Sequence, residues 1–213
     1  VNLIIDFGPQ FIALTLALIQ LRKLSLAYKL VVLQLCITII TDALALYTKL
    51  QSSSNEGIYN VYVVLEMVLL SSVIYHAIEN YKFKNLIKYT VSAFLILASI
   101  LLSISSTMLE LNYPILIIAF ISIAFFNLYF IIHPKTEKSL IKNPMMMIAI
   151  GHVIYFLGVT PYFVGRHFLI EAYPEVANVL FSYINMSLSA LRYLCIATAF
   201  GFMLITTKKT SLA

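Results

Sequence analysis

Seven stretches of the chain run for the width of a bilayer with scarcely a charge in them, and this repetition constrains the fold more than any other feature. They cover approximately Leu3 to Leu21, Leu26 to Thr48, Gly57 to Ala77, Leu86 to Ser106, Tyr113 to Ile132, Met145 to Gly165 and Val176 to Ile205. A helix crosses the hydrocarbon with about 20 apolar residues, whereas a barrel strand would show about 10 residues of alternating polarity. These runs are continuously apolar, so the sequence predicts an all-α polytopic membrane bundle of seven transmembrane helices. Residues 1–213 form a single domain in this reading, with almost no chain left for a soluble part. A composition 62% hydrophobic and 11% charged, with a mean hydropathy of +0.96, agrees. Asn55-Glu56-Gly57, Asn112-Tyr113-Pro114, Asn143-Pro144 and Tyr173-Pro174 stand at run ends, as turn formers and helix starts should.

Lys and Arg are retained on the cytoplasmic side during insertion, so their placement orients the bundle. Alternate connections carry Arg22, Lys23 and Lys29, then Lys82, Lys84 and Lys88, then Lys135, Lys138 and Lys142, with Lys208 and Lys209 in the tail. The opposite connections, Gln51 to Gly57, Met108 to Asn112 and Arg166 to Glu175, share only Lys49 nearby and Arg166. The N-terminus is therefore expected outside and the C-terminus in the cytoplasm, in a bacterial inner membrane. The formal charge of +5 is spread over short loops and a tail. That distribution excludes a nucleic-acid partner and leaves the lipid bilayer, with its acidic headgroups, as the neighbour. Tyr28, Tyr47, Tyr81, Tyr89, Tyr113, Tyr162 and Tyr173 lie near run ends, where amphipathic rings sit at the headgroup level. No basic stretch precedes an apolar segment, so no cleaved signal peptide is expected, and a sequence beginning at Val1 reads as a trimmed or partial chain or as one with a non-ATG start. Cys36 and Cys195 both fall within spans and read as small core residues.

Arg192 sits inside the seventh run, in FSYINMSLSALRYLCIATAFGFML. A charge at that depth costs about 2.5–3.5 kcal/mol to insert and must face the interior with partners. Within the spans the acids are Asp42 and Glu66; the others lie near ends or in loops. A rise of about 1.5 Å per residue places all three at compatible heights. Residues three, four or seven apart share a helix face. Gln34, Thr38, Thr41 and Asp42 form one polar stripe; Tyr59 and Tyr62 share Glu66's face; Asn178, Asn185, Ser189 and Arg192 line up on the seventh helix. The sixth helix adds His152, with Tyr155 one turn later and Gly158 and Pro161 beyond, where Pro161 is expected to kink the helix and free a carbonyl. Two readings stay open: an ion pair that fixes helix packing, or a ligand site lined by Asp42, Glu66, Arg192, Tyr59, Tyr62, Asn178, Asn185, His152 and Tyr155. Two acids facing one Arg favour the second. The surplus carboxylate must be protonated, bind a cation or meet a positively charged ligand group. His152 alone reads as a hydrogen-bonded core histidine.

The chain resembles a group of small, functionally unassigned seven-helix integral membrane proteins of Bacteroidota. The resemblance rests on TDALALY around Asp42, IYNVYVVLEMVLL around Glu66 and LIKNPMMMIAIGHVIYFLG leading into the sixth helix, and runs through most of the length. It implies the seven-helix topology and an acid at both the Asp42 and Glu66 positions. It implies no activity. Met145 to Met147 stand where the group has a more aromatic stretch.

Several chemistries are disfavoured by the residues themselves. A retinal protein needs a Schiff-base lysine deep in the last helix, and none precedes Lys208 there. An intramembrane zinc hydrolase needs three or four ligands at one depth, but His76, His133 and His167 lie near the ends, leaving His152 with the two acids. No Gly-x-Ser-x-Gly elbow or phosphate-binding glycine loop occurs among the 6 glycines. No cofactor or catalytic residue is expected. The sequence is read as a small-molecule or ion sensing or binding module with a polar pocket in its outer half. A sensor so small requires a membrane or cytoplasmic signalling partner. A small transporter, for which Gly158 and Pro161 would mark a broken helix, and a partner-dependent subunit are the alternatives.

Overall fold

The computed structural model describes residues 3–51, 55–104, 109–133 and 143–211, with the side chains of 3–6, 56, 104, 109–113, 167, 178 and 207–211 outside the description. All regular structure in it is helical: α1 (Leu3–Ile19), α2 (Leu26–Leu50), α3 (Glu56–Ala77), α4 (Tyr81–Ile104), α5 (Leu109–Ile132), α6 (Pro144–Ala172) and α7 (Pro174–Ser211), with one 3-10 turn at Leu21–Lys23. Among the described residues, α2 to α7 contain the 6 stretches long and apolar enough to cross a membrane. α1 falls short, its described apolar part being Phe7–Ile19, with Pro9 inside the helix.

Local chemistry explains where helices start, and in several places the run ends mislead. The Asn143 side chain accepts from the amides of Met145 and Met146, with Pro144 in the first turn, a cap that fixes the start of α6. Asn80 Oδ1 accepts from the amides of Lys82 and Phe83, so α4 begins at Tyr81 and not near Leu86. Lys82, Lys84 and Lys88 are thus helical, because capping starts a helix whatever its polarity. Asn112-Tyr113-Pro114 does not end a run: α5 starts at Leu109 and carries Pro114 in its second turn, where the missing N–H removes a single ladder bond. The expected loop from Arg166 to Glu175 reduces to Tyr173, because α6 continues to Ala172 and α7 starts at Pro174. α6 also continues through Pro161 without a break.

Helix packing follows a closed ring in the order α1, α2, α3, α5, α6, α7 and back to α1. α4 lies outside it, against α3 and α5. Burial agrees, since 17% of the apolar stretch of α4 is buried, against 33–44% in the other five. Leu35, Met67, Ile123, Phe126, Phe156, Ile196 and Phe200 are fully buried in the packing between helices. α1 is tied to α7 by Gln20, whose Nε2 donates to the carbonyls of Leu16 and, at 2.9 Å, Phe200. α6 packs tightly against α7 at two glycines. A β-carbon on Gly151 would lie 2.8 Å from Cys195 Cβ and 3.1 Å from the Arg192 carbonyl, and one on Gly158 would lie 2.6 Å from Leu188 Cδ1. Gly151 therefore lets α7 seat Arg192 against α6.

Candidate functional site

Arg192, 2% exposed, donates from Nη2 to Glu66 Oε1 at 2.8 Å, and Glu66 is itself 3% exposed. The pair joins α7 to α3, helices that are not neighbours in the ring, so it spans the interior. Three aromatic rings surround the guanidinium carbon: Tyr155 at 4.9 Å, Phe156 at 5.0 Å and Tyr193 at 5.4 Å. Ring faces attract the cation most strongly where water is excluded.

Hydroxyl groups extend the pair towards α2. Tyr62 donates to Glu66 Oε1 at 2.8 Å, Thr38 Oγ1 lies 2.9 Å from Tyr62 Oη, and Gln34 Nε2 donates to Thr38 Oγ1 at 2.9 Å. Each hydroxyl has one hydrogen. Tyr62's is spent on the carboxylate, and Thr38's is shared between Tyr62 and the Gln34 carbonyl, 2.9 Å from Thr38 Oγ1. The polar stripe on α2 is as its periodicity predicts, with Gln34, Thr38 and Thr41 buried and Asp42 half-buried one turn beyond Thr38.

Asp42 Oδ2 accepts from Gln10 Nε2 at 2.9 Å, which brings α1 into the cluster. On the opposite side, Tyr155 donates to Asn185 Oδ1 at 3.1 Å. His152, 1% exposed, lies 3.3 Å through Nδ1 from Asn127 Oδ1, and Asn127 Nδ2 donates to the Ile123 carbonyl. Asn127 therefore offers an oxygen to the imidazole and His152 carries its hydrogen on Nδ1, as a hydrogen-bonded core histidine would.

Of the residues singled out from sequence, Glu66, Arg192, Tyr62, Tyr155 and Asn185 come together directly, Asp42 lies on the polar stripe of α2 one turn beyond Thr38 and bonds Gln10 of α1, and His152 lies next to Phe156 on the same helix. Tyr59 stands one turn before Tyr62 on α3 and is 39% exposed. The Asn178 side chain lies outside the described residues. Gln10, Asn127, Phe156 and Tyr193 were not legible as site residues. Asn127 had a signal, an amide in an otherwise apolar stretch; Gln10 follows Pro9 in a run whose depth is ambiguous.

Four buried polar atoms in and beside this cluster have no hydrogen-bond partner among the described residues: Gln10 Oε1, Gln34 Oε1, His152 Nε2 and Arg192 Nε. With His152 protonated on Nδ1, three of these are acceptors and one is a donor. Two shallow surface depressions, of about 300 Å3 at Tyr173 to Val176 and about 400 Å3 between α1 and α7 at Leu16, Ala197 and Gly201, lie away from the cluster. Among the described residues, no three His, Cys, Asp or Glu side chains group as metal ligands.

An apolar all-helical bundle closed around a buried ion pair defines an integral membrane protein of the helical-bundle class. No protein-family model, curated protein or solved structure matches the chain significantly.

Proposed function

We propose that the protein is a seven-helix bundle of a bacterial inner membrane, N-terminus outside and C-terminus cytoplasmic, that binds a small polar or cationic ligand, or a proton, at the cluster of Asp42, Glu66 and Arg192. The observation that carries this reading is the set of buried polar atoms left over around the Arg192–Glu66 pair. Gln10 Oε1, Gln34 Oε1, His152 Nε2 and Arg192 Nε have no hydrogen-bond partner among the described residues, and a buried polar group without one is costly until a ligand, a proton or water supplies it. Asp42, half-buried and accepting from Gln10 of α1, stands beside them. Tyr59, one turn outward of Tyr62 and 39% exposed, marks the approach from the outer side. The unbroken course of α6 through Pro161 supports a binding or sensing module over a transporter, because transporter sites are built at broken helices. Output from such a module passes to a membrane or cytoplasmic partner.

A ligand that binds only the folded protein raises its stability by about 2.7 kcal/mol at a hundredfold excess over its dissociation constant. Thermal unfolding of the purified protein, screened against metabolites, monovalent cations and pH, is expected to show a stabilising hit that Asp42→Asn removes. A flat screen, with wild type, Asp42→Asn and Glu66→Gln titrating identically between acid and neutral pH, retires the reading and leaves Arg192 as a packing device.

A further inference from the structure

Where α3 gives way to α4, the turn is held by its own bonds. Asn80 caps α4, its Nδ2 donates to Tyr129 Oη of α5 at 2.9 Å, and the Phe83 ring stacks on Tyr129 at 3.5 Å. Phe83, Ile87 and Phe94 form the buried edge of α4, so Lys84 and Lys88, each one residue further on, flank that edge. Both reach α3. The Lys84 ammonium lies 5.1 Å and the Lys88 ammonium 5.4 Å from the ring centroid of Tyr75.

Residues four apart on a helix have β-carbons about 5–6 Å from each other, and like charges there repel. The Tyr75 ring attracts both cations but cancels neither charge. Residues 75–89 carry Lys82, Lys84 and Lys88 against Glu79 alone, so positive charge is in excess on this segment however Glu79 is partnered. Depth narrows the choice of counter-charge. Tyr81 and Tyr89 are exposed on the first turns of a stretch apolar enough to cross a membrane, and such rings settle at the level of the lipid headgroups. Lysine stems carry their ammonium groups to that level along apolar surface. An anion found there, with oxygens enough for two ammonium groups, is the phosphate of a phospholipid. The surface beyond suits the rest of such a molecule. On the Lys84 flank of α4, Val91 and Leu95 follow at helical spacing, and on the Tyr75 flank of α3, Val68 and Leu65; all four are apolar and at least partly exposed. Ser72, between them on α3, spends its hydroxyl hydrogen on the Val68 carbonyl of its own helix. α4 packs only lightly on α3, which leaves this apolar seam open to acyl chains.

We infer that Lys84, Lys88 and Tyr75 form a site for the phosphate of an anionic phospholipid whose acyl chains lie along the seam between α3 and α4. The site is separate from the Arg192 cluster and holds for either orientation of the bundle. Unfolding temperatures of the full-length protein in dodecylmaltoside micelles would be measured as phosphatidylglycerol or phosphatidylcholine is titrated in, with glycerol 3-phosphate as the soluble counterpart. A saturable rise is expected with phosphatidylglycerol. Lys84→Gln/Lys88→Gln should raise its half-saturating mole fraction at least tenfold, whereas Lys23→Gln/Lys29→Gln, which removes as much charge beside the connection of α1 to α2, should leave it within about twofold. No response to phosphatidylglycerol, an equal response to phosphatidylcholine, or equal shifts in the two double variants overturns the site. A rise of the same size with glycerol 3-phosphate overturns the lipid as its occupant. Should Lys84→Gln/Lys88→Gln not fold, Tyr75→Leu decides in its place: a shift of at least threefold supports the site and a smaller one overturns it.

Discussion

Arg192 has three aromatic rings and one carboxylate around it, and that enclosure decides what its loss would do. Arg192→Gln strands the Glu66 carboxylate in the bundle's interior. Breaking one side of a buried pair costs about 3–5 kcal/mol, although polar links within membranes often measure nearer 0.6 kcal/mol. The larger figure governs here, because both partners are almost fully buried and the unpaired group is charged. A fall in unfolding temperature and folded yield is expected for Arg192→Gln, with partial recovery in Arg192→Gln/Glu66→Gln; a double variant no more stable than the single one would show that Glu66 is not the partner that matters. Tyr62→Phe tests a smaller effect, since it removes one of two hydrogen bonds to Glu66 Oε1 and leaves Thr38 its bond to the Gln34 carbonyl. A loss of about 0.6–1.7 kcal/mol is expected, and Thr38→Val should add little to it because both act in one chain. At this scale the sequence was informative: helical spacing grouped Asp42, Glu66, Tyr62, Asn185 and Arg192. Which acid meets Arg192 was not legible, because helical phase fixes faces and leaves the distances between helices open.

Helices α6 and α7 meet at backbone distance, and the two glycines that permit it should differ in tolerance. Gly151→Ala drives a β-carbon against the Cys195 β-carbon and the Arg192 carbonyl, neither of which can rotate away. Overpacking of this kind costs about 1–3 kcal/mol, and it also displaces the helix that carries Arg192. Gly158→Ala meets only the methyl end of Leu188, which can change rotamer, and alanine adds up to about 1 kcal/mol of helix propensity. Its stability is expected within about 1 kcal/mol of wild type. Equal sensitivity of the two variants in thermal unfolding would contradict this account of the crossing. Both glycines stand seven residues apart in the sequence, yet apolar patterning could not show which helix they face. Helix limits were similarly half legible. Apolar run length located every helix, but Asn80 and Asn143 caps, not polarity, set where α4 and α6 begin.

The bundle as a whole is a ring of six helices with α4 on its flank, an arrangement absent from chain order. Counting apolar runs could give the number of helices but not the skip from α3 to α5, which depends on which faces fit. Orientation is tested on intact cells with single cysteines in a background of Cys36→Ala and Cys195→Ala, the second of which keeps the β-carbon that packs on Gly151. Ser53→Cys should react with an impermeant thiol reagent and Lys84→Cys should not; the reverse pattern inverts the topology.

The bond between Glu66 and Arg192 joins residues 126 positions apart, and a ribosome makes the two ends at different times. At about 5–20 residues per second, roughly 6–25 s of translation separate them. Glu66 therefore enters the membrane long before its counter-charge exists, and α1 likewise waits for the helix against which it chiefly packs. Assembly cannot be completed helix by helix as the chain emerges. The nascent protein must hold an unpaired acid, protonated or shielded by the insertion machinery, until its last span arrives, and a chain stopped before α7 is expected to be cleared by membrane proteases instead of accumulating.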